Sequence, residues 1–377
     1  MKDMKARGRA RAVRSAATAA IALAIVACGK STSDGKAMDT TAAAAKAADS
    51  TKAMPAAQPG TPDAQMQAVL DELAAMHGKP IVTLTAAEAR KQPTPADAAK
   101  AVLVKQGKPT TPPPGASLTN MKVAGAAGPL PANIYTPDGA GPFPVIVYYH
   151  GGGWVIANKD VYDGGARSLA IGAKAIVISA DYRQGPEHKF PAAHDDAIAV
   201  YEWALKNAAS LKGDPKRIAL AGESAGGGLA VATAIAARDK KLQAPLAVIS
   251  VYPIAGTDTT TPSYVENAEA KPLNRPMMTW FFDNYLASAA DRQDPRVNLV
   301  AADLKGLPPV TIINAQIDPL RSDGEILAAK IQSAGGRVTQ KTYDAVTHEF
   351  FGMGAVHDKA KAAEAMATDA LTAAFGK

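Results

Sequence analysis

Gly222-Glu223-Ser224-Ala225-Gly226 fits the pattern G-x-S-x-G, which can present a serine hydroxyl as a nucleophile. Five-residue patterns recur by chance, so the flanks decide. Ile218–Ala221 before it reads as a strand. Gly226-Gly227-Gly228-Leu229-Ala230 after it opens a helix of small residues. A strand–turn–helix holds the serine in a strained turn, and its flanking glycines let strand and helix approach closely. The plainer alternative is a helix N-cap serine behind a glycine-rich loop; the context favours the nucleophile.

Acyl chemistry also needs donors for a developing oxyanion. His150-Gly151-Gly152-Gly153-Trp154 follows the apolar run Val145–Tyr149. Three glycines in a row can aim backbone N–H groups at a substrate oxygen, each contributing about 3–4 kcal/mol in the transition state. Within the loop Gly151–Gly153, Gly152 and Gly153 are the expected donors, with the N–H of Ala225 as a third. A phosphate loop is disfavoured, because neither GK[ST] nor GxGxxG with a downstream acid is present. His150 is expected to bond backbone and hold the loop.

A serine nucleophile needs a base, and the base an orienting acid, in the chain order Ser, Asp or Glu, His. Only His348 and His357 of the six histidines lie late enough. His348 falls in a loop after the strand-like run Val338–Tyr343, whereas His357 opens the last helix and reads as solvated. Asp318 follows Val310–Ala315 and is the expected acid. Asp323 competes, but Ser322-Asp323-Gly324-Glu325 reads as a capping box, which puts it in a first helical turn. Asp344 is a weaker rival.

These groups need a scaffold. Strands are expected at Leu130–Tyr135, Val145–Tyr149, Ala175–Ser179, Ile218–Ala221, Ala247–Tyr252, Val310–Ala315 and Val338–Tyr343. Helices alternate with them at Val161–Ala173, Ala193–Asn207, Gly226–Asp239, Glu325–Ala334 and Asp358–Ala374. That alternation predicts an α/β fold with a mostly parallel central sheet flanked by helices. Upstream, Met66, Val69, Leu70, Leu73 and Met76 recur at helical spacing after a cap at Thr61 or Asp63, and a second helical stretch is expected within Ala86–Val104. Residues 255–300 break the alternation with a polar run and then Trp280-Phe281-Phe282 and Tyr285, and read as an insertion.

In order along the chain, His150–Trp154, Asp181-Tyr182-Arg183, Pro186-Glu187-His188, Phe190-Pro191-Ala192-Ala193, the serine turn, Asp318–Arg321 and the His348 loop resemble the hormone-sensitive-lipase branch of the α/β-hydrolases, the bacterial family IV esterases. The resemblance runs from about Pro62 to the C-terminus. It implies Ser224, Asp318 and His348 as a catalytic triad, and a helical cap over the α/β-hydrolase fold. The cap would combine N-terminal helices (61–110) with an insertion at about 255–300 in a catalytic domain of 111–377. Trp154, Tyr182, Phe281 and Phe282 are then expected to line the substrate pocket. Three features depart from the family pattern: Glu223 where Asp is commoner, Gln184-Gly185 for Leu-Ala, and Glu349 where Gly is common.

The chain has 377 residues, 47% apolar and 20% charged, which excludes a disordered chain, a fibre and a multi-span membrane protein. The net charge is +6, but Lys2, Lys5, Arg7, Arg9, Arg11 and Arg14 crowd the start with one acid, Asp3; the remainder is close to neutral. The basic balance therefore does not argue for a nucleic-acid partner. Residues 1–27 read as a signal peptide, whose apolar stretch Ala16–Ala27 is too short to span a membrane. It ends in Ile25-Val26-Ala27-Cys28, which resembles a bacterial lipobox and uses the one cysteine of the chain. Lipidated Cys28 would anchor the protein to a membrane surface, with 28–60 as a flexible tether. Gly29 after the cysteine favours, by resemblance, an exported lipoprotein of the outer membrane or periplasmic face in a Gram-negative bacterium. An ordinary signal peptide with an incidental cysteine is the alternative.

The expected activity is a serine carboxylesterase acting on a small-molecule ester with short to medium acyl chains, needing no cofactor and no metal. Its rivals are an amidase or peptidase on the same fold, and an inactive binding lipoprotein. Oligomeric state, natural substrate and alcohol preference are left open.

Overall fold

The computed structural model describes residues 60–376. The expected signal peptide, Cys28 and all but the last residue of the tether lie outside the described residues.

Three helices come first: α1 (Ala64–Ala75), α2 (Ala86–Ala89) and α3 (Pro95–Lys105). Asp63 caps α1, its carboxylate accepting from the Met66 N–H at 2.9 Å. The stretch expected as a single helix is two. Pro93 cannot donate to a helical ladder, and Thr85 and Thr94 each open a new helix with a capping box, closed by Glu88 and Asp97.

The sheet then forms from β1 (Ala116–Gly125), β2 (Gly128–Pro137), β3 (Phe143–Tyr149), β4 (Ile176–Ala180), β5 (Gly213–Glu223), β6 (Val248–Val251), β7 (Val310–Ile317) and β8 (Val338–Thr347). Its order is β1-β2-β4-β3-β5-β6-β7-β8. The β1–β2 and β2–β4 pairs are antiparallel and all others parallel. β1 was not expected. It is an edge strand whose residues Ser117–Asn120 are exposed, so it lacks the apolar run that marks its buried neighbours.

Helices α4 (Asp163–Gly172), α5 (Ala192–Asn207), α6 (Ala225–Asp239), α9 (Arg321–Ser333) and α10 (Asp358–Ala374) cover the two faces. Between β6 and β7, residues 255–300 contain α7 (Pro262–Glu266) and α8 (Arg275–Tyr285) and add no strand. The central strands β3, β4 and β6 are buried along their whole length, as expected where both faces of a parallel sheet are covered.

Two expectations about helix starts are corrected. The Ser322 capping box does not form. Helix α9 begins at Arg321, and Ser322 instead exchanges hydrogen bonds with Ser263, 3.1 Å and 2.9 Å long. Asp323 does sit in the first turn, but it is buried and accepts from the N–H groups of Ala255 (3.0 Å) and Gly256 (2.9 Å). His357 is not solvated. It is 1% exposed, caps α10 by accepting from Lys359 N–H, and places Nε2 3.0 Å from Asp63 Oδ1.

Candidate active site

Ser224 stands between the end of β5 and the start of α6, at φ 56° and ψ −120°, a left-handed backbone that costs strain for any residue with a side chain. The flanking glycines are there for clearance. A Cβ on Gly226 would lie 1.9 Å from the Tyr149 carbonyl oxygen, and one on Gly222 would lie 2.2 Å from that of Gly226. The turn is pinned by Ser224 N–H donating to Val251 O at 2.9 Å.

Asp318 follows β7 and His348 follows β8, so all three groups lie at the carboxyl ends of parallel strands, where open α/β sheets place their sites. His348 Nε2 is 3.0 Å from Ser224 Oγ, and His348 Nδ1 is 2.7 Å from Asp318 Oδ2. A carboxylate only accepts, so Nδ1 carries the ring proton and Nε2 is left to accept from the serine hydroxyl. Asp318 is itself steadied by the Leu320 N–H, donated to Oδ1 at 2.8 Å. Burial alone would pull the His348 pKa down; the adjoining Asp318 carboxylate outweighs it, with Glu349 adding, and the pKa sits above the ordinary value. Asp344 is exposed and takes no part.

The glycine loop follows β3, the neighbour of β5 in the sheet. Gly152 (φ 94°) and Gly153 (φ 58°) have left-handed backbones and line the cavity that contains Ser224 and His348. Gly151 does not line it and packs against the Tyr162 hydroxyl. Ala225 is the first residue of α6, so its N–H has no partner within the helix. His150 bonds backbone as expected: Nδ1 reaches Gly151 O at 2.8 Å.

The cavity has a volume of about 710 Å³. Leu70, Leu73 and Ile81 from the N-terminal segment and Met277, Met278 and Phe281 from α8 enclose it with Ile156, Val161 and Glu349. Of the four expected pocket residues only Phe281 lines it. Trp154 is buried and stacks on Tyr285, with ring centroids 4.9 Å apart. Tyr182 lies behind the glycine loop, its hydroxyl donating to His150 O at 2.9 Å. Phe282 is fully buried, with the Arg292 guanidinium 4.8 Å from its ring centre.

A buried acid network was not foreseen. Glu223 is 1% exposed and receives hydrogen bonds from the hydroxyls of Tyr148 and Tyr252. Burial pushes its carboxyl up to about 8, against the two tyrosine donors. Its only sequence signal was the unusual acid inside the serine motif; its partners read as core aromatics.

A family model described as an alpha/beta hydrolase fold matches residues 146–352, more than half of the chain. The chain belongs to the α/β-hydrolase family. Its parallel sheet, flanking helices and strand-end serine are that fold. It is 41% identical over 208 residues to the carboxylesterase NlhH of Mycobacterium tuberculosis, a match covering 54% of this chain and 65% of that relative. An ethyl acetate hydrolase of Pseudomonas putida is 32% identical, with 64% of this chain and 78% of that one aligned. The hyperthermophilic esterase of Pyrobaculum calidifontis superposes with a TM-score of 0.75 at 31% identity, over 83% of this chain and 98% of that one. Such relatives agree with the hormone-sensitive-lipase-like branch of the family that the motifs resemble.

Proposed function

We propose that this protein is a serine carboxylesterase that hydrolyses short- to medium-chain acyl esters through an acyl-enzyme on Ser224. The supporting observation is the unbroken chain Ser224 Oγ–His348 Nε2, His348 Nδ1–Asp318 Oδ2 at the floor of a largely apolar cavity. Ser224 Oγ attacks the ester carbonyl as its proton passes to His348 Nε2. The N–H groups of Gly152, Gly153 and Ala225 take the oxyanion. Collapse returns the proton from Nε2 to the leaving alcohol. Water then enters and attacks the acyl carbon while giving a proton to the same nitrogen; collapse breaks the bond to Ser224 Oγ, releases the acid and returns the proton from Nε2 to the serine. Asp318 holds the ring in the productive tautomer and stabilises its charged form.

In this reading, residues 61–110 and about 255–300 form the cap, and their apolar side chains bound the acyl pocket. The test is twofold. A fluorophosphonate should label Ser224 in the folded protein, and an ester series from acetyl to palmitoyl should show turnover concentrated in the shorter members. An unlabelled serine would favour a binding role; peak activity on palmitoyl esters would refute the chain-length assignment.

We also propose that Cys28 carries a lipid anchor that holds the enzyme at a membrane surface. The lipobox resemblance supports it, and among the described residues no helix is long and apolar enough to cross a membrane. Cys28→Ser should release the protein into the soluble fraction or leave it unprocessed. Unchanged membrane association of a cleaved, unacylated chain would overturn the anchor.

A further inference from the structure

The loop that carries His348 holds an acid that the reaction outlined above does not use. Glu349 lines the cavity and sets Oε1 3.7 Å from His348 Nε2, the nitrogen facing Ser224. Asp318 Oδ2 is 2.7 Å from the other ring nitrogen. The imidazole therefore lies between two carboxylates. Glu349 is held there, because Tyr162 Oη donates to its Oε1 at 2.6 Å and Tyr162 is itself buried. The backbone at Glu349 has φ 70°, a left-handed conformation in which glycine is the comfortable residue. A side chain kept at a strained position beside the reacting atoms points to a role for that side chain.

We propose that Glu349 is a positioning residue for the base: its carboxylate stabilises the imidazolium that forms as Ser224 loses its proton, and so sets the pH at which His348 becomes available. This rests on the serine-esterase reading. The other groups around the pair leave room for the effect. His348 is faced by Asp318 after β7, by Ser224, and by the Tyr252 ring, whose centroid is 4.5 Å from its own. Glu349 is faced by Tyr162 just before α4, with the His150 ring centroid 6.1 Å behind, and by the field of Glu223 with Tyr148 and Tyr252. Glu223, pushed up to about 8 by burial, is mostly protonated near neutral pH and competes little for charge. Burial raises Glu349 above the ordinary carboxylate value, with the Asp318 carboxylate adding and His348 and the Tyr162 hydrogen bond opposing. Among the described residues, the ion-pair contact of Glu349 is with His348 and with no lysine or arginine.

The sign follows from the chemistry. His348 acts as a base only when neutral, and an anion beside it favours the charged ring, so Glu349 moves the acid limb of activity to higher pH. Two variants remove the charge in different ways. Glu349→Gln keeps the shape and an acceptor for Tyr162. Glu349→Gly removes the side chain and relieves the backbone, so it should fold at least as well as the parent. kcat/KM on a neutral short-chain ester would be followed by titration of released acid from about pH 5 to pH 9. In both variants the acid limb should move down by about one unit, with a several-fold lower plateau kcat and little change in KM. A limb that stays in place or rises in either variant overturns the proposal. Fluorophosphonate labelling run alongside separates the two readings. A labelled parent with an unmoved limb removes only the role of Glu349, whereas an unlabelled parent removes the esterase reading beneath it.

Discussion

Ser224, His348 and Asp318 make one hydrogen-bonded line, and each end of it depends on a different strand end. Ser224→Ala removes the attacking atom and leaves the turn sterically unchanged, so turnover should vanish while the melting temperature holds. Asp318→Asn places an amide beside Nδ1 and favours the wrong tautomer, with an expected loss of about 10⁴-fold in kcat by analogy with other triads. Steady-state kinetics beside thermal melts checks both. His357→Ala should behave in the opposite way. His357 caps α10 and meets Asp63 at the start of α1. Its loss should lower stability by about 1 kcal/mol and leave kcat near the parent value; a large fall in kcat would instead give His357 a part in the chemistry.

Helix α8 explains why two adjacent phenylalanines do different jobs. Successive residues on an α-helix point about 100° apart, so Phe281 faces the cavity while Phe282 faces the core between Arg292 and Trp154. Phe281→Ala should enlarge the pocket and shift the preferred acyl chain to greater length, read from relative kcat/KM across an ester series. Phe282→Ala should cost about 3–5 kcal/mol of stability, measured by denaturant unfolding. Helix α1 divides its apolar stripe likewise. Met66 and Val69 are buried in the core, and Leu70 and Leu73 line the cavity. Arg90, between α2 and α3, clamps this N-terminal segment to the loops beyond the glycine run. It donates to Val155 O at 2.8 Å and Gly185 O at 2.7 Å and pairs with Glu187. The pair with Glu187 is bidentate, 2.7 Å on each arm, and although partly exposed it adds to the two carbonyl bonds in anchoring the segment.

Across the molecule, burial gives several acids unusual proton affinities. Glu223 is pushed up to about 8, and Asp323 and Glu364 to about 7, each chiefly by loss of hydration. In the unfolded chain these groups titrate near 4.5 or 3.8. The folded state therefore holds more protons through this window, and the stability they contribute is complete below the unfolded values and lost as pH rises through about 7 and 8. His194 works in reverse. Burial pulls it down to about 3 from 6.5, so its contribution is present above 6.5 and lost as pH falls toward 3. The melting temperature should accordingly decline from about pH 6.5 to pH 8.5, and Glu223→Gln should flatten that decline. Scanning fluorimetry over this range decides; a melting temperature that rises with pH contradicts the assignment.

Local pattern carried a great deal in this chain. Buried parallel strands are short apolar runs, and a site at strand ends puts its reactive residues just after such runs. Ser224, Asp318 and His348 are therefore legible as candidates in the sequence alone. The helical Met66–Leu73 stripe and the insertion at 255–300 were readable for the same reason, as periodicity and as its interruption. What failed depended on contacts between distant segments. The edge strand β1 owes its conformation to pairing with β2 and shows solvent a polar face. Ser322 had the composition of a cap but found Ser263, brought in by the insertion, as its partner. His357 looked solvated until Asp63, far away in the chain, closed over it. Trp154, Tyr182 and Phe282 are as aromatic as Phe281, and no property of a ring in isolation says which side of a packed wall it occupies. Composition and spacing report what a residue can do and which backbone state it favours; only the folded chain decides what each side chain faces, because that is set by neighbours remote in sequence and by the volume they leave.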